Sequence, residues 1–307
     1  MILKNFKQIF LTVIFCGGLF NFIIIYASDI PKNSNPIIIA HHAGGGDWPE
    51  NTIYAIKKSQ KYTNYINLTL MLSKDDVPFL FHGFDLAKTT NGVGNPENKT
   101  IEELKRLDAG YEFKKNNKFI YRNKGIKIPT LNEALKIRDK NTIFILDIKT
   151  NKYKKLIHII IHSFTKKDWE KTIFYSTNSK ALKYLQNLHP TAQVFQNRNL
   201  TRKTLLQLYL KQNIPEDKLN SDHTNWMAFE NKRNMEVCEE FTLGKSCTNI
   251  IFNNLWNRET VKKIKESNPS IKSVMIGVNT ISEYNYAQSI GMFGIYTDYP
   301  ILISSND

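Results

Sequence analysis

Short apolar runs recur along this chain, each separated from the next by helical or loop-like stretches, and that alternation restricts the fold most. The runs are Pro36 to Ala40, Tyr65 to Leu70, Val77 to Phe81, Thr142 to Ile148, Thr172 to Ser176 and Ala192 to Gln196. Val274 to Val278 and Gly294 to Thr297 complete eight, with Asn249 to Phe252 as an extra or alternative element. Most are rich in Ile, Phe, Val or Leu, as strands buried on both faces should be. Helices are predicted over Thr52 to Tyr62, Thr100 to Leu107, Leu131 to Asp139, Ser179 to Leu188, Thr201 to Gln212, Arg258 to Ser267 and Ser282 to Ile290. Several begin at Ser or Thr, favoured N-cap types, and Ser282 with Asn285 makes a partial capping box. This alternation predicts an α/β fold, a (β/α)8 TIM barrel, whose chemistry gathers at the C-terminal ends of its strands.

With 307 residues and 41% hydrophobic content the chain could form one such barrel or two ordinary domains. Nothing in it resembles a linker or an internal repeat, so a single domain over residues 29–307 is predicted. Residues 1–28 are a separate matter. Lys4 and Lys7 precede an uncharged stretch from Ile9 to Tyr26, and Ala27-Ser28 supplies small residues after it. That is the layout of a secretory signal peptide, which predicts export to the periplasm or the medium. The stretch 9–26 is also close to the lower length limit for a membrane-spanning helix, so an uncleaved anchor is the alternative.

The formal net charge is +14. A basic exterior attracts anionic lipid or nucleic acid, and a peripheral contact with an anionic membrane is left open. Lysine outnumbers arginine 35 to 7, however, and is scattered among asparagines. Forked phosphate recognition prefers arginine, so a nucleic-acid partner is not expected. Cys238 and Cys247 either close a short loop as a disulfide or stand as two free thiols, and no CxxC pattern points to zinc.

Two histidine-bearing segments carry the chemistry: Ala40-His41-His42-Ala43-Gly44 with Pro49-Glu50-Asn51-Thr52, and Val77-Pro78-Phe79-Leu80-Phe81-His82-Gly83. Two imidazoles at neighbouring strand ends can take one proton and return another, as phosphodiester cleavage requires. Between them lies Ile66-Asn67-Leu68-Thr69-Leu70, without a carboxylate.

In this order the segments resemble the glycerophosphodiester phosphodiesterases, whose pattern is His-Arg-Gly, Pro-Glu-Asn-Thr, Glu-x-Asp, Lys-Asp-Gly and a strand ending in His-Asp. Here they read His41-His42-Ala43, Pro49 to Thr52, Asn67-Leu68-Thr69, Lys74-Asp75-Asp76 and His82-Gly83. Thr89-Thr90-Asn91-Gly92, Leu107-Asp108-Ala109-Gly110, Ile128-Pro129-Thr130-Leu131 and Asp147-Ile148-Lys149 also match, as do Val274 to Asn279 and Gly294 to Pro300. The resemblance runs from about Pro36 to Leu302 and implies a TIM barrel with a short inserted segment, Gly83 to Lys127, after the third strand.

The resemblance further implies His41 and His82 as the acid/base pair, and His42 and Lys149 as substrate-binding residues. It implies a divalent cation, Mg or Ca, at the positions of Asp147, Asn67 and Thr69, to which Glu50 is added here as the other nearby acid. Glu-x-Asp would aim two acids into the barrel, since alternate strand residues face the same way. Asn67 and Thr69 offer oxygens there without charge, and hard cations depend on ligand charge. Three readings stand: a hydrolase of glycerophosphodiesters or lysophospholipid-like molecules, a catalytically silent barrel that binds a phosphodiester, and a secreted interaction scaffold.

Overall fold

The computed structural model describes residues 35–210 and 225–305. The leader expected at 1–28, with its anchor alternative at 9–26, lies outside the described residues. Among those described, no helix is long and apolar enough to cross a membrane.

The chain enters through β1 (Ile37–Ala40), a short 3-10 turn, α1 (Ile53–Ser59), β2 (Tyr65–Leu72) and β3 (Pro78–Leu80). A long excursion carrying α2 (Ile101–Arg106) leads to α3 (Leu131–Lys136), β4 (Ile143–Ile148), α4 (Tyr153–Ser163), α5 (Lys166–Glu170) and β5 (Thr172–Tyr175). Next come α6 (Ser179–Leu188), β6 (Gln193–Val194), α7 (Arg198–Tyr209), β7 (Trp226–Glu230) and a hairpin of β8 (Arg233–Phe241) and β9 (Gly244–Phe252). The chain then forms α8 (Arg258–Ser267), β10 (Lys272–Ile276), α9 (Ile281–Ser289), β11 (Gly294–Thr297) and α10 (Pro300–Ser304).

The strands β6-β5-β4-β2-β1-β11-β10-β7 run parallel in that order. Phe195, just past β6, makes a parallel bridge to Trp226 at the start of β7, so eight strands nearly close a barrel. The Gln196 N–H donates to the Trp226 carbonyl across that seam at 2.7 Å. Ile39, Ile145, Ile173, Phe195, Val274 and Tyr296 pack together as one buried cluster drawn from around the barrel. Residues on the other face of the same strands, among them Ile66, Leu68 and Phe144, are buried with the apolar sides of α1, α4 and α6. This two-sided burial is why the strands read as continuous apolar runs.

Two strand expectations are corrected. Val77 to Phe81 was expected as a barrel strand, but β3 pairs antiparallel with β2, Leu70 facing Leu80 and Leu72 facing Pro78. The turn after Leu72 is far too short for the crossover that a parallel neighbour needs. The missing barrel strand is β7, whose Trp226 to Phe229 run follows a polar stretch and was not anticipated. Asn249 to Phe252 ends β9 in a mostly exposed hairpin, separate from the barrel sheet. In that hairpin Cys238 and Cys247 face each other and are joined as a disulfide.

Helix boundaries follow local chemistry. α6 and α8 span the predicted residues, whereas α4 and α5 were not anticipated. The capping box near residue 282 belongs to Thr280 and Glu283 rather than Ser282 and Asn285. Thr100 with Glu103, Thr130 with Glu133 and Thr165 with Asp168 make three more, each pairing an N-cap hydroxyl with an acid three residues on. The inserted segment has its own small core, in which Leu86, Leu104, Ala109 and Ile126 cover Met71, Phe79 and Phe81.

Trp256 is fully buried and ties the base of the hairpin to the barrel, its indole N–H donating to the Phe229 carbonyl at 2.9 Å. Trp256→Phe removes that hydrogen bond and opens a small void. The expected loss is about 2–4 kcal/mol of unfolding free energy, read as a lower denaturant midpoint at unchanged slope.

Candidate functional site

His41 and His42 follow β1 directly, in a turn where His42, Ala43 and Gly44 take positive φ of 49°, 61° and 79°. Left-handed backbone disfavours residues with a Cβ, so this turn needs outside support. The Pro-Glu-Asn-Thr segment provides part of it. The Asn51 N–H donates to the His42 carbonyl at 2.9 Å, while the Asn51 side-chain oxygen accepts the Thr69 N–H at 2.8 Å. Thr52 caps α1 by accepting the Ala55 N–H at 3.1 Å. Glu50 is left facing the histidines.

The three imidazoles form a row. The His41 and His42 rings stack with centroids 3.8 Å apart, and the His42 and His82 centroids lie 4.1 Å apart. The outer two reach solvent, with side chains 32% and 33% exposed, whereas His42 between them is 8% exposed. His41 Nδ1 lies 2.8 Å from an Asp298 carboxylate oxygen. The other Asp298 oxygen accepts from the Asn279 amide at 2.9 Å, and the Asn279 oxygen accepts the Asp298 N–H at 2.8 Å. Burial alone would raise the Asp298 carboxyl, but the hydrogen bond and charge of His41, with Asn279, bring it below its ordinary value. An ionised Asp298 holds His41 in the tautomer that donates from Nδ1 and leaves Nε2 free.

Around His82 the partners differ. Lys88 Nζ donates to His82 Nδ1 at 3.2 Å. Glu50 lies between His42 and His82, with oxygens 3.3 Å from His42 Nδ1 and 3.8 Å from His82 Nδ1. Burial, reinforced by the neighbouring His42, lowers His82 to about 4, and burial pushes His42 well below the usual range. Burial raises Glu50, partly offset by the charges of Lys88 and His82.

The third group sits on β2 and β4. Thr69 and Asp147 are register partners, as are Asn67 and Ile145. Asn67 is engaged at both ends of its amide: its oxygen accepts the His42 N–H at 3.3 Å and its nitrogen donates to the Ile145 carbonyl at 3.2 Å. The Thr69 hydroxyl is buried without a hydrogen-bond partner. One Asp147 oxygen is likewise unpartnered, and the other lies 3.4 Å from Lys149 Nζ. Burial raises the Asp147 carboxyl to about 6, against the pull of Lys149 and the weaker charges of His41 and Arg198. Lys149 also donates to the Thr177 hydroxyl at 3.1 Å. On the adjacent strand Tyr175 is the register partner of Asp147, and Arg198 donates to its hydroxyl at 3.1 Å while gripping Glu230 through both carboxylate oxygens at 2.6 Å.

These strand residues do not fit the Mg or Ca ion that the sequence resemblance implies. A single carboxylate, already beside an ammonium, is joined on these strands only by the Thr69 hydroxyl and by a neutral amide whose two ends are occupied. A hard cation needs more ligand charge than that. The group of described residues that could hold a metal in this mouth is His42, Glu50 and His82, whose ligand atoms lie within 4.8 Å of one another.

The structure thus brings His41, His42, Glu50 and His82 into one cluster, while Asp147 and Lys149 pair beside Thr69 and interact with that cluster through charge. Asp298, Asn279, Lys88 and Arg198 were not singled out as site residues in the sequence. Asp298 was the most accessible of them, since Thr297-Asp298-Tyr299-Pro300 was already a recognised segment.

A sequence model of the glycerophosphoryl diester phosphodiesterase family matches residues 41–302. An uncharacterized protein of Mycobacterium tuberculosis is 30% identical over 279 residues, covering 90% of this chain and 91% of the relative. The crystal structure of that organism's glycerophosphoryl diester phosphodiesterase domain superposes with a TM-score of 0.77 at 28% identity, covering 89% of this chain and 99% of that one. An Oleispira antarctica phosphodiesterase, solved with the product sn-glycerol-3-phosphate, superposes with a TM-score of 0.64 at 21% identity, over 88% and 96% of the two chains.

The Asp147 carboxyl should titrate near pH 6, visible as its carbonyl stretch or its carbon chemical shift. Lys149→Met removes the attraction that holds it down, so the midpoint should move higher. The folded chain then keeps a proton that the unfolded chain has lost between about pH 4 and 6. Asp147 therefore makes the protein more stable as pH falls through that window, and Asp147→Asn should stabilise it at pH 8 more than at pH 5.

Proposed function

We propose that this chain, which belongs to the glycerophosphoryl diester phosphodiesterase family, hydrolyses the phosphodiester bond of glycerophosphodiesters or lysophospholipid-like molecules. The observation that carries the reading is the imidazole row: two solvent-reaching histidines flank a buried third, and each outer ring has its own polar partner. Nothing in the step needs a cation at the β2 and β4 positions.

His41 is the base in this scheme. Its Nδ1–H is held by Asp298, so Nε2 takes the proton of the attacking water, and the imidazolium formed is stabilised by that carboxylate. The water oxygen bonds to phosphorus, the phosphorus–oxygen bond to the leaving alcohol breaks, and His82 gives its Nε2 proton to the leaving oxygen while Lys88, which donates to His82 Nδ1, passes a proton to that nitrogen. Lys149 and Lys88 supply positive charge for the phosphate, with Arg198 contributing at longer range. A product such as the sn-glycerol-3-phosphate held by the Oleispira antarctica phosphodiesterase supports the glycerol phosphate unit as the recognised part.

A second reading, binding without turnover, is favoured by one observation. Asn67 and Thr69 stand where the resemblance places acids, and the Asn67 amide is fully engaged with backbone. The two readings separate in one assay. Glycerophosphocholine and lysophosphatidylcholine are incubated with the chain in chelator, and free choline or glycerol phosphate is measured. Turnover that drops about 10²–10⁴-fold in His41→Ala and in His82→Ala supports the hydrolase. No turnover above the double variant, with calorimetric binding of glycerophosphocholine retained, establishes the silent barrel instead.

A further inference from the structure

His42 leaves the turn after β1, Glu50 the loop before α1, and His82 the segment beyond β3, so their convergence is a product of the fold and not of sequence spacing. We propose that these three residues form a binding site for a borderline divalent transition ion of the zinc type, and that filling it stops turnover by withdrawing His82 from proton transfer. The second half rests on the hydrolase reading above; the first half does not.

The donor set decides the class of ion. Two imidazoles and one carboxylate suit zinc and its late first-row neighbours, whereas magnesium and calcium ask for oxygen ligands throughout. A four-coordinate centre with bonds of about 2.0–2.2 Å sets its ligand atoms roughly 3.3–3.5 Å apart. Here Glu50 oxygens lie 3.3 Å from His42 Nδ1 and 3.8 Å from His82 Nδ1. These distances run to different Glu50 oxygens, and the donor atoms of the three residues lie within 4.8 Å of one another, so an ion draws them inward by up to roughly 1.4 Å to reach that spacing.

Two further observations point the same way. Glu50 Oε1 is buried with no hydrogen-bond partner, an uncommon state for a carboxylate oxygen. His42 is held in place by its backbone bonds to Asn67 and Asn51 and by the rings on either side. A ligand that is already positioned loses little entropy on binding. His82, 33% exposed, leaves an open side for water as a fourth ligand.

Lys88 is the competitor. Its ammonium donates to the His82 Nδ1 that an ion would use, so the ion has to displace a long, flexible side chain, and Lys88 tunes the affinity. The other His, Cys and acid grouping among the described residues, Glu236 with Cys238 and Cys247, has its sulfurs joined in a disulfide and is no rival for the ion.

The test uses the full chain, stripped with chelator and titrated with Co²⁺ as a coloured probe. Expected are visible absorption bands of a low-coordinate Co²⁺ centre, saturating at one ion per chain and abolished by Zn²⁺, with millimolar Mg²⁺ or Ca²⁺ without effect. Glu50→Gln, which keeps the shape, should weaken binding about tenfold or more, and Lys88→Met should strengthen it. A thermal melt confirms that each variant is folded. Absence of the bands, or an unchanged affinity in Glu50→Gln, overturns the site. Stoichiometric Zn²⁺ should also suppress glycerophosphocholine hydrolysis, and bound ion with undiminished turnover overturns the switch. A chain that hydrolyses nothing in any metal state overturns the functional reading, while the Co²⁺ bands still decide the site.

Discussion

The left-handed turn His42-Ala43-Gly44 is the constraint on which the site depends, because all the imidazole geometry follows from it. Two residues with a Cβ sit at positive φ there, at roughly 1–2 kcal/mol each. Gly44 has no alternative, since a Cβ would meet Pro300 and Trp48 at 2.9 Å. The turn persists because its polar groups are answered from four directions. Asn67 accepts the His42 N–H, Asn51 donates to the His42 carbonyl, Ser59 donates to the Ala43 carbonyl and His41 accepts the Gly44 N–H. With the backbone so held, the His42 ring falls between His41 and His82, and Glu50 is brought beneath them.

Seen from that turn, the exchange of acid for amide at position 67 has a structural meaning. The Asn67 nitrogen donates to the Ile145 carbonyl while its oxygen receives the turn. A carboxylate could accept from His42 but would repel Ile145. The residue that removes a cation ligand is therefore the residue that joins β2 and β4 to the histidine turn. Charge in the mouth is correspondingly paired: His41 with Asp298, Lys149 with Asp147, Arg198 with Glu230. Burial then raises the two carboxyls with an unpartnered oxygen, Glu50 and Asp147. Lys149 and Lys88 are the ammonium groups nearest this arrangement, and a phosphate would meet them instead of a strand-bound cation.

Much of the barrel was legible because burial on both faces leaves a strong trace: runs such as Phe144 to Ile148 can be little else than interior strands. The errors came where that trace is ambiguous. Val77 to Phe81 is as apolar as a barrel strand, yet the short turn before it makes it an antiparallel partner of β2. Trp226 to Phe229 leaves little trace in the sequence, because a single short run after a polar stretch carries no periodicity to count. At the site, His41, His82 and Lys149 stood out by type and position. Lys88 did not, because an exposed lysine in a lysine-rich chain looks like solvated surface until its ammonium is found on His82.

By itself the sequence determined the alternation that makes a barrel, the residue types gathered at its strand ends, and the absence of acids at positions 67 and 69. Those properties are local: burial pattern and side-chain chemistry are written in the chain one residue at a time. The tertiary structure alone decided the pairings. His41 and Asp298 are 257 positions apart and meet because β1 and β11 are neighbours in the barrel. Which nitrogen of each ring is left free, and that His42 is enclosed while its neighbours are open, depends on partners brought from β2, β11 and two loops. Spacing along a chain has no term for such encounters, and the closure of the barrel supplies it.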